Sequence, residues 1–414
     1  MRPASAPSPL KVPEFRRLTA ISITVALGFG MVIPVLPDFA RSFGVGIAAI
    51  GLVQLVFGLT RFSFGVVGGL AVDRFGERAA TLTGILIVSL SSYAAGLSHS
   101  FLQLVLARGF GGAGSALFIA GLMNRILRII EPSAMGRATG IFRSSFLIGI
   151  GLGPLIGGLA GDELGLAAPF HIYATGLLVA AAITWFAMAG EPARGQAEKR
   201  TPLQALRAAA PLFSDVRYTA ALAATFVGWW TVSGPAQILG VVFAKDRLSF
   251  SGAQVGVSLT LLSLGELLVL PLAGRAADSF GRKAVLVPAL ALSAVTVAAV
   301  GRIQAVPFAF FVLMALIGVS VAAGSTAAGG LLADSVPRTG SGAAVGMNQM
   351  AGDLGYLTAP TALGYVAQGS FELAYLLGAL PAALVLVVAL RLPGRRARAA
   401  PSRPEEIEPA EPVA

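Results

Sequence analysis

The chain has 414 residues, of which 56% are hydrophobic and 12% charged, with a mean hydropathy of +0.80. Soluble domains carry about 25% charged residues, so a water-soluble fold is excluded: the charges are too few to cover its surface. The formal net charge of +10 does not mark a nucleic-acid binder, because the basic residues are scattered over many short segments, and the absence of cysteine removes disulfides and thiol chemistry.

Apolar stretches close to 20 residues long, the length that crosses ~30 Å of hydrocarbon, recur along the chain. They are predicted at about 18–37, 47–70, 80–98, 101–124, 138–160, 170–190, 217–240, 253–273, 284–300, 305–333, 342–366 and 372–391. The tenth is overlong and is expected to end near Gly329. The polar lead into the first span has no small-residue cleavage site of a secretory signal. Basic residues fix the expected orientation. With the N-terminus inside, 23 of the 30 Lys and Arg fall on cytoplasmic segments, and Arg41, Lys245, Arg247 and Arg302 fall outside. The reading is an all-α polytopic membrane protein of 12 transmembrane helices, both termini cytoplasmic, in the cell membrane of a bacterium.

In chain order, the second span runs into GLAVDRFGER (69–78). The fourth holds Arg108, and the fifth holds Arg143 and then GIGLGPLIGG (149–158). The stretch GFGGAG (109–114) has the spacing of a dinucleotide loop but lies within a span with no strand before it, so it is set aside. A charged, Pro/Ala-rich connection at 191–216 separates a half at 1–190 from a half at 217–391, and a Pro-, Arg- and Glu-rich tail at 392–414 is expected to be disordered. The second half repeats the first. GRAADSFGRK (274–283) follows the eighth span, so that Gly69, Asp73 and Gly76 recur as Gly274, Asp278 and Gly281, 205 residues on. GYLTAPTALG (355–364) echoes the fifth span and places Pro360 206 residues after Pro154. Parallel six-span halves are a transporter architecture with the substrate site between them.

The pattern G-x-x-x-D-R-x-G-x-R, formed by Gly69, Asp73, Arg74, Gly76 and Arg78, resembles the signature loop of the major facilitator superfamily. Gly149, Gly153, Pro154, Gly157 and Gly158 resemble the antiporter motif of its 12-helix drug:proton exchangers, LGFGMVIPVLP (27–37) their first helix, and Arg108 their fourth-helix arginine. The second-half loop, with Gly274, Asp278, Gly281 and Arg282, departs from the pattern at Ser279. The resemblance implies two pseudo-symmetric six-helix bundles and a secondary transporter, expected to be a proton-coupled efflux antiporter of amphiphilic molecules. It needs no cofactor beyond the proton gradient. Its partners are lipid, protons and a small-molecule substrate, with no nucleic acid, and the protein is expected to be monomeric. A sugar, metabolite or lipid carrier is the alternative. A membrane enzyme or receptor-like module is remote, since no catalytic or metal constellation is present.

Site expectations follow. The loop motif reads as a latch in which Asp73 meets the positive N-terminus of another helix, Gly69 permits close approach and Gly76 turns the chain. Charges within spans are functional candidates by default. In this fold helices 2 and 11, and 5 and 8, face each other, which pairs Arg61 with Asp353 and Arg143 with Glu266. Both pairs are expected on the cytoplasmic side, formed when that side is closed; pairing within one half, or simply lining water, stays open. Glu266, Asp353, Asp38 and Arg108 are the candidates for proton coupling. By resemblance, the substrate cavity draws on Met31, Phe118, Trp229, Trp230, Gln237, Phe311 and Met314, aromatic and Met surfaces that suit variable apolar ligands. Gly149, Gly153 and Gly157, spaced by four, form one stripe, expected to face the other half beside the bend at Pro154.

Overall fold

The structure, a computed structural model, describes residues 8–131, 134–188, 210–303, 306–336 and 342–392. All regular elements among them are helical. They are α1 (Pro13–Val32), α2 (Leu36–Arg41), α3 (Ile47–Phe75), α4 (Glu77–Gly96), α5 (Phe101–Ile129), α6 (Met135–Leu164) and α7 (Ala168–Ala187), then α8 (Val216–Thr231), α9 (Leu239–Leu248), α10 (Gly252–Phe280), α11 (Arg282–Val300), α12 (Pro307–Ser335), α13 (Gly342–Ala367) and α14 (Phe371–Leu390). Eleven membrane-length segments among the described residues are long and apolar enough to cross a membrane, with α8 and α9 counted as one. The twelfth span is α13, made more polar by Asn348, Gln349, Asp353 and two threonines. Most of the connection at 191–216 and nearly all of the tail at 392–414 lie outside the described residues.

Several helices run past the apolar windows. α12 continues through Gly329 to Ser335, α3 reaches Phe75 and α10 reaches Phe280. Hydropathy measures the hydrocarbon crossed, whereas a helix persists as long as its backbone bonds are made, into the headgroup region and beyond. Starts are set by local chemistry. Ser100, Ser251 and Ser370 accept hydrogen bonds from backbone N–H groups of the first turns of α5, α10 and α14, and proline opens α1 and α12. Two spans are broken. The first turns at 33–35, around Pro34, into α2; the seventh passes through a π-helical turn, Val232–Ile238, around Pro235, before α9. Proline cannot donate the i→i−4 bond, and the wider turn accommodates the gap.

Within the first half α1 packs on α6 and α7, α4 on α5 and α7, and α3 on α5; in the second, α8 packs on α12 and α13, α10 on α12, and α11 on α12 and α14. The halves meet through α3 against α13 and α6 against α10. Leu90, Phe110, Phe186, Phe308 and Tyr365 stand exposed on the periphery, the surface lipid requires. The repeat is physical as well as textual. α5 and α12 are each 29 residues long and start 206 residues apart; a Cβ on Gly112 would collide with the Phe57 carbonyl, and one on Gly318 with the Leu262 carbonyl.

Candidate functional site

The two halves close at one end and part at the other. We call the terminal end the one where α1 begins and α14 finishes, and the far end its opposite. At the far end, Gly158 of α6 lies so close to Gly252 of α10 that a Cβ on either would strike the other's backbone, and Gly256 lies equally close to the Pro154 carbonyl. Thr260 donates to the Gly151 carbonyl at 2.7 Å. Along the second seam Gly51 meets Pro360 and Thr361, and Gly58 meets Leu357.

Charges clasp this end. Arg41 donates two bonds to Asp246, at 2.6 and 2.7 Å, and Lys245 bonds to Asp38. Asp162, near the end of α6, accepts the backbone N–H groups of Gly252 and Ala253 at 2.9 and 2.8 Å, so an anion of one half caps a helix N-terminus of the other. The hydrogen bonds to Asp246 raise the Arg41 pKa above its ordinary value, so this partner stays cationic across the working pH range. The clasp residues sit on the two short helices beyond the helix breaks: Asp38 and Arg41 on α2, Lys245 and Asp246 on α9. Asp38 is thus an interhalf tether at the far end. Sequence reasoning did not find Asp162 or the Arg41–Asp246 pair. The signal available was that Arg41 and Asp246 stand one repeat apart, separated by 205 residues.

Among the described residues, glycines on the same helix faces have no interhalf neighbour toward the terminal end. Gly140 and Gly274 lie three turns from Gly151 and Ser263, which touch; an added Cβ on either would meet nothing within 4 Å, as at Gly65, Gly69 and Gly346. The last contact before the halves separate on the α3–α13 seam is Arg61–Asp353, at 3.0 Å with 25% and 16% of each side chain exposed. Arg61 is the midpoint of α3, and Gln349, one turn away on α13, also reaches Asp353, at 3.4 Å. The expected pairing of Arg61 with Asp353 across the halves is present in this structure.

Glu266 is the midpoint of α10, half-buried, and makes no ion pair or hydrogen bond among the described residues. Arg143, exposed on α6, is the charged group whose field reaches it, but the two are not in contact. Arg108 on α5 is 2% exposed, with its guanidinium carbon 4.9 Å from the centre of the Phe57 ring and 5.9 Å from that of Phe29.

The antiporter-like stretch behaves differently from its sequence expectation. Gly149, Gly153 and Gly157 face α1 of their own half: Cβ atoms there would run into the carbonyls of Ile23, Leu27 and Met31. The side presented to the other half carries Gly151, Pro154 and Gly158. Spacing by four defines a smooth stripe but not its partner, and the nearest long neighbour of α6 is α1.

Among the described residues, the contacts of the loop motif lie within its own half. Gly76 (φ +84°) and Gly281 (φ +96°) each make a one-residue joint between helices, the left-handed geometry that favours glycine. Arg78 donates to the Trp185 carbonyl at 2.8 Å and stacks on that ring, and Arg74 lies over Phe75. Arg282 pairs with Asp278 at 2.6 Å and Asp334 at 3.5 Å. All these contacts stay within one half. Gly69 makes no close approach here, and the Asp73 side chain lies outside the described residues.

Of the expected cavity residues, Trp229 is 40% exposed and sits edge-on to Tyr356, whose ring also lies 5.7 Å from the Arg61 guanidinium. Met31, Phe118 and Met314 are core residues, Phe311 stacks on Phe250, and Gln237 is buried within the π-turn with its side-chain oxygen unpartnered. Trp230 donates to the Gly378 carbonyl at 3.0 Å and lines an apolar groove of ≈ 470 Å³ among α8, α13 and α14, away from the α3 and α10 faces.

The model of the Major Facilitator Superfamily matches residues 18–252 and 235–414. The chain belongs to the Major Facilitator Superfamily. It is a multi-pass membrane protein of that superfamily. Quinolone resistance protein NorA of Staphylococcus aureus (strain Mu50) is 29% identical over 134 residues, 31% of this chain and 34% of that protein. An uncharacterised superfamily transporter of Methanocaldococcus jannaschii, MJ1560, is 28% identical over 150 residues, 36% and 39% of the two chains. The chain thus spans about a third of the length of the curated relatives it matches. The crystal structure of the nucleoside transporter NupG superposes with a TM-score of 0.76 at 15% identity, covering 92% of this chain and 98% of that one. A bacterial homologue of the lysosomal transporter Spinster, solved inward-facing and unoccupied, gives a TM-score of 0.70 at 17% identity, covering 93% and 96%. These two likenesses establish the fold.

Proposed function

We propose that this superfamily member exports amphiphilic small molecules in exchange for protons, as a monomer whose terminal end faces the cytoplasm of a bacterial cell. The observation that carries the reading is Glu266: a half-buried carboxylate at the midpoint of α10, bonded to nothing among the described residues and facing a parted seam whose opposite wall bears Arg143. A carboxylate so placed can take a proton while the cleft is open, and closing the cleft brings the α6 wall onto it, which links proton movement to the motion of the halves. Support comes also from the stretch of relatedness to a quinolone resistance protein, from the antiporter-like glycines of α6 and from the Lys and Arg bias toward the terminal end. Asp353, held by Arg61, couples the seam to the same cleft. Trp229 and Tyr356 supply its aromatic wall. The loop motifs would close the terminal end in the opposite conformation.

The test is uptake of norfloxacin into proteoliposomes under an imposed pH gradient. Gradient-driven transport is expected in the native protein. In Glu266→Gln it should fall at least tenfold while equilibrium binding remains. Uptake by the native protein that is indifferent to the gradient would overturn proton exchange.

A further inference from the structure

We propose that Arg108 is the seat for an anionic group of the transported molecule, a carboxylate or a comparable acid. This rests on the transport reading above and narrows its substrate class to amphiphiles that carry an acid.

Three observations carry it. The first is an uncompensated charge. Arg108 is 2% exposed, makes no hydrogen bond or ion pair among the described residues, and has its Nε buried without a partner. A guanidinium offers five donors and accepts nothing, and a buried cation is strongly disfavoured unless paired. The titratable groups that face it are two tyrosines, Tyr173 of α7 and Tyr356 of α13, and no carboxylate. The central acid, Asp353, is taken by Arg61.

The second is the internal repeat. With α5 and α12 aligned at 206 residues, the position of Arg108 is answered in the other half by Met314, 1% exposed in the core. The architecture fills this place with an apolar side chain where it has the choice, so packing does not call for a cation.

The third is what surrounds the charge. Rings of Phe29 and Phe57 flank the guanidinium. Across the seam the Tyr356 hydroxyl is buried, with Gln54 as its polar neighbour. A ligand carboxylate would offer two acceptor oxygens to the guanidinium fork and a further one to the tyrosine, while an attached aromatic body would lie along the phenylalanines. Tyr356 belongs to the second half and lies over the seat in the present closure, so loading and release follow movement of the halves.

Isothermal titration of the purified protein in lipid nanodiscs tests this without a proton gradient. The probes are norfloxacin and pyrenebutyrate, each against its ethyl ester, in chloride and in gluconate buffer. The native protein should bind each acid at least tenfold more tightly than its ester, equally in both buffers. Arg108→Gln should erase the preference, and Arg108→Lys should keep several-fold of it. Arg108→Met, which installs the residue of the equivalent position, serves as a second, packing-compatible loss of charge. The proposal is overturned if the native protein shows no acid preference, or if the preference survives in Arg108→Gln and Arg108→Met. It is also overturned if chloride at low millimolar concentration displaces the acids, which would make the seat one for a free inorganic anion. Proton exchange can fail in liposomes while this preference holds, and the reverse, so the two failures are distinguishable.

Discussion

Reversing the charges of Arg61 and Asp353 together should return the transport that either reversal alone abolishes. The pair joins the midpoint of α3 to α13, at 3.0 Å, where the halves begin to separate. Breaking a buried pair by removing one partner costs 3–5 kcal/mol in a dry interior. With a quarter of the Arg61 side chain exposed, about 3 kcal/mol is an upper figure here, which converts to on the order of a hundredfold. In Arg61→Asp two anions face each other, and in Asp353→Arg two cations do, so each single variant should transport poorly. The double variant restores attraction and should recover to within several-fold of native. Initial rates of substrate flux in proteoliposomes, at matched insertion, measure this. A double variant no better than the singles would show that each charge acts separately from the other.

Leucine at Gly157 and leucine at Gly158 should fail in different ways. A side chain at Gly157 would strike the Met31 backbone inside the first half, whereas one at Gly158 would strike the Gly252 backbone across the seam. Overpacking costs typically about 1–3 kcal/mol. Gly157→Leu should therefore lower the melting temperature of the purified protein by ~5 °C and reduce the folded yield. Gly158→Leu should melt close to native, because the halves can relieve the clash by parting, yet transport should drop at least tenfold as far-end closure is blocked. Equal melting losses in both would contradict the assignment of the two glycines to different interfaces.

These two glycines also show how far the sequence could be read. Composition and apolar run length sufficed for twelve spans, because lipid leaves the backbone no alternative to a helix. The repeat was visible in Asp73 and Asp278, and the one-residue joints at Gly76 and Gly281 agree with the expected turn. The pairing of Arg61 with Asp353 came from opposite charges at similar depth on helices that the fold sets face to face. What the sequence could not show was which neighbour a glycine stripe meets: a face of α6 turned toward α1 and a face turned toward α10 differ by one residue. Nor could it show the conformation. Gly69 reads as a close contact, whereas a Cβ there would meet nothing within 4 Å in this structure. The clasp of Asp38, Arg41, Asp162, Lys245 and Asp246 was hidden because charges at span ends look like ordinary interfacial residues until a partner is seen.

The charges across the seam have a common logic. Arg41 and Asp246 are repeat equivalents, separated by 205 residues and opposite in sign, and they bond to each other across the seam. A perfect duplicate would set like charges against each other near the pseudo-two-fold axis. Opposite signs at equivalent positions turn that repulsion into attraction and hold two separately packed bundles in register.

Distances between labels report whether far-end opening is coupled to terminal-end closing during transport. The chain lacks cysteine, so labels can be placed without background at Ser42 and Ser249 for the far end, and at Thr139 and Arg275 for the terminal end. Electron–electron resonance distances in nanodiscs, measured at high and low pH with and without norfloxacin, should show the first pair lengthening as the second shortens. Two distances that stay fixed, or that change in the same direction, would contradict the account.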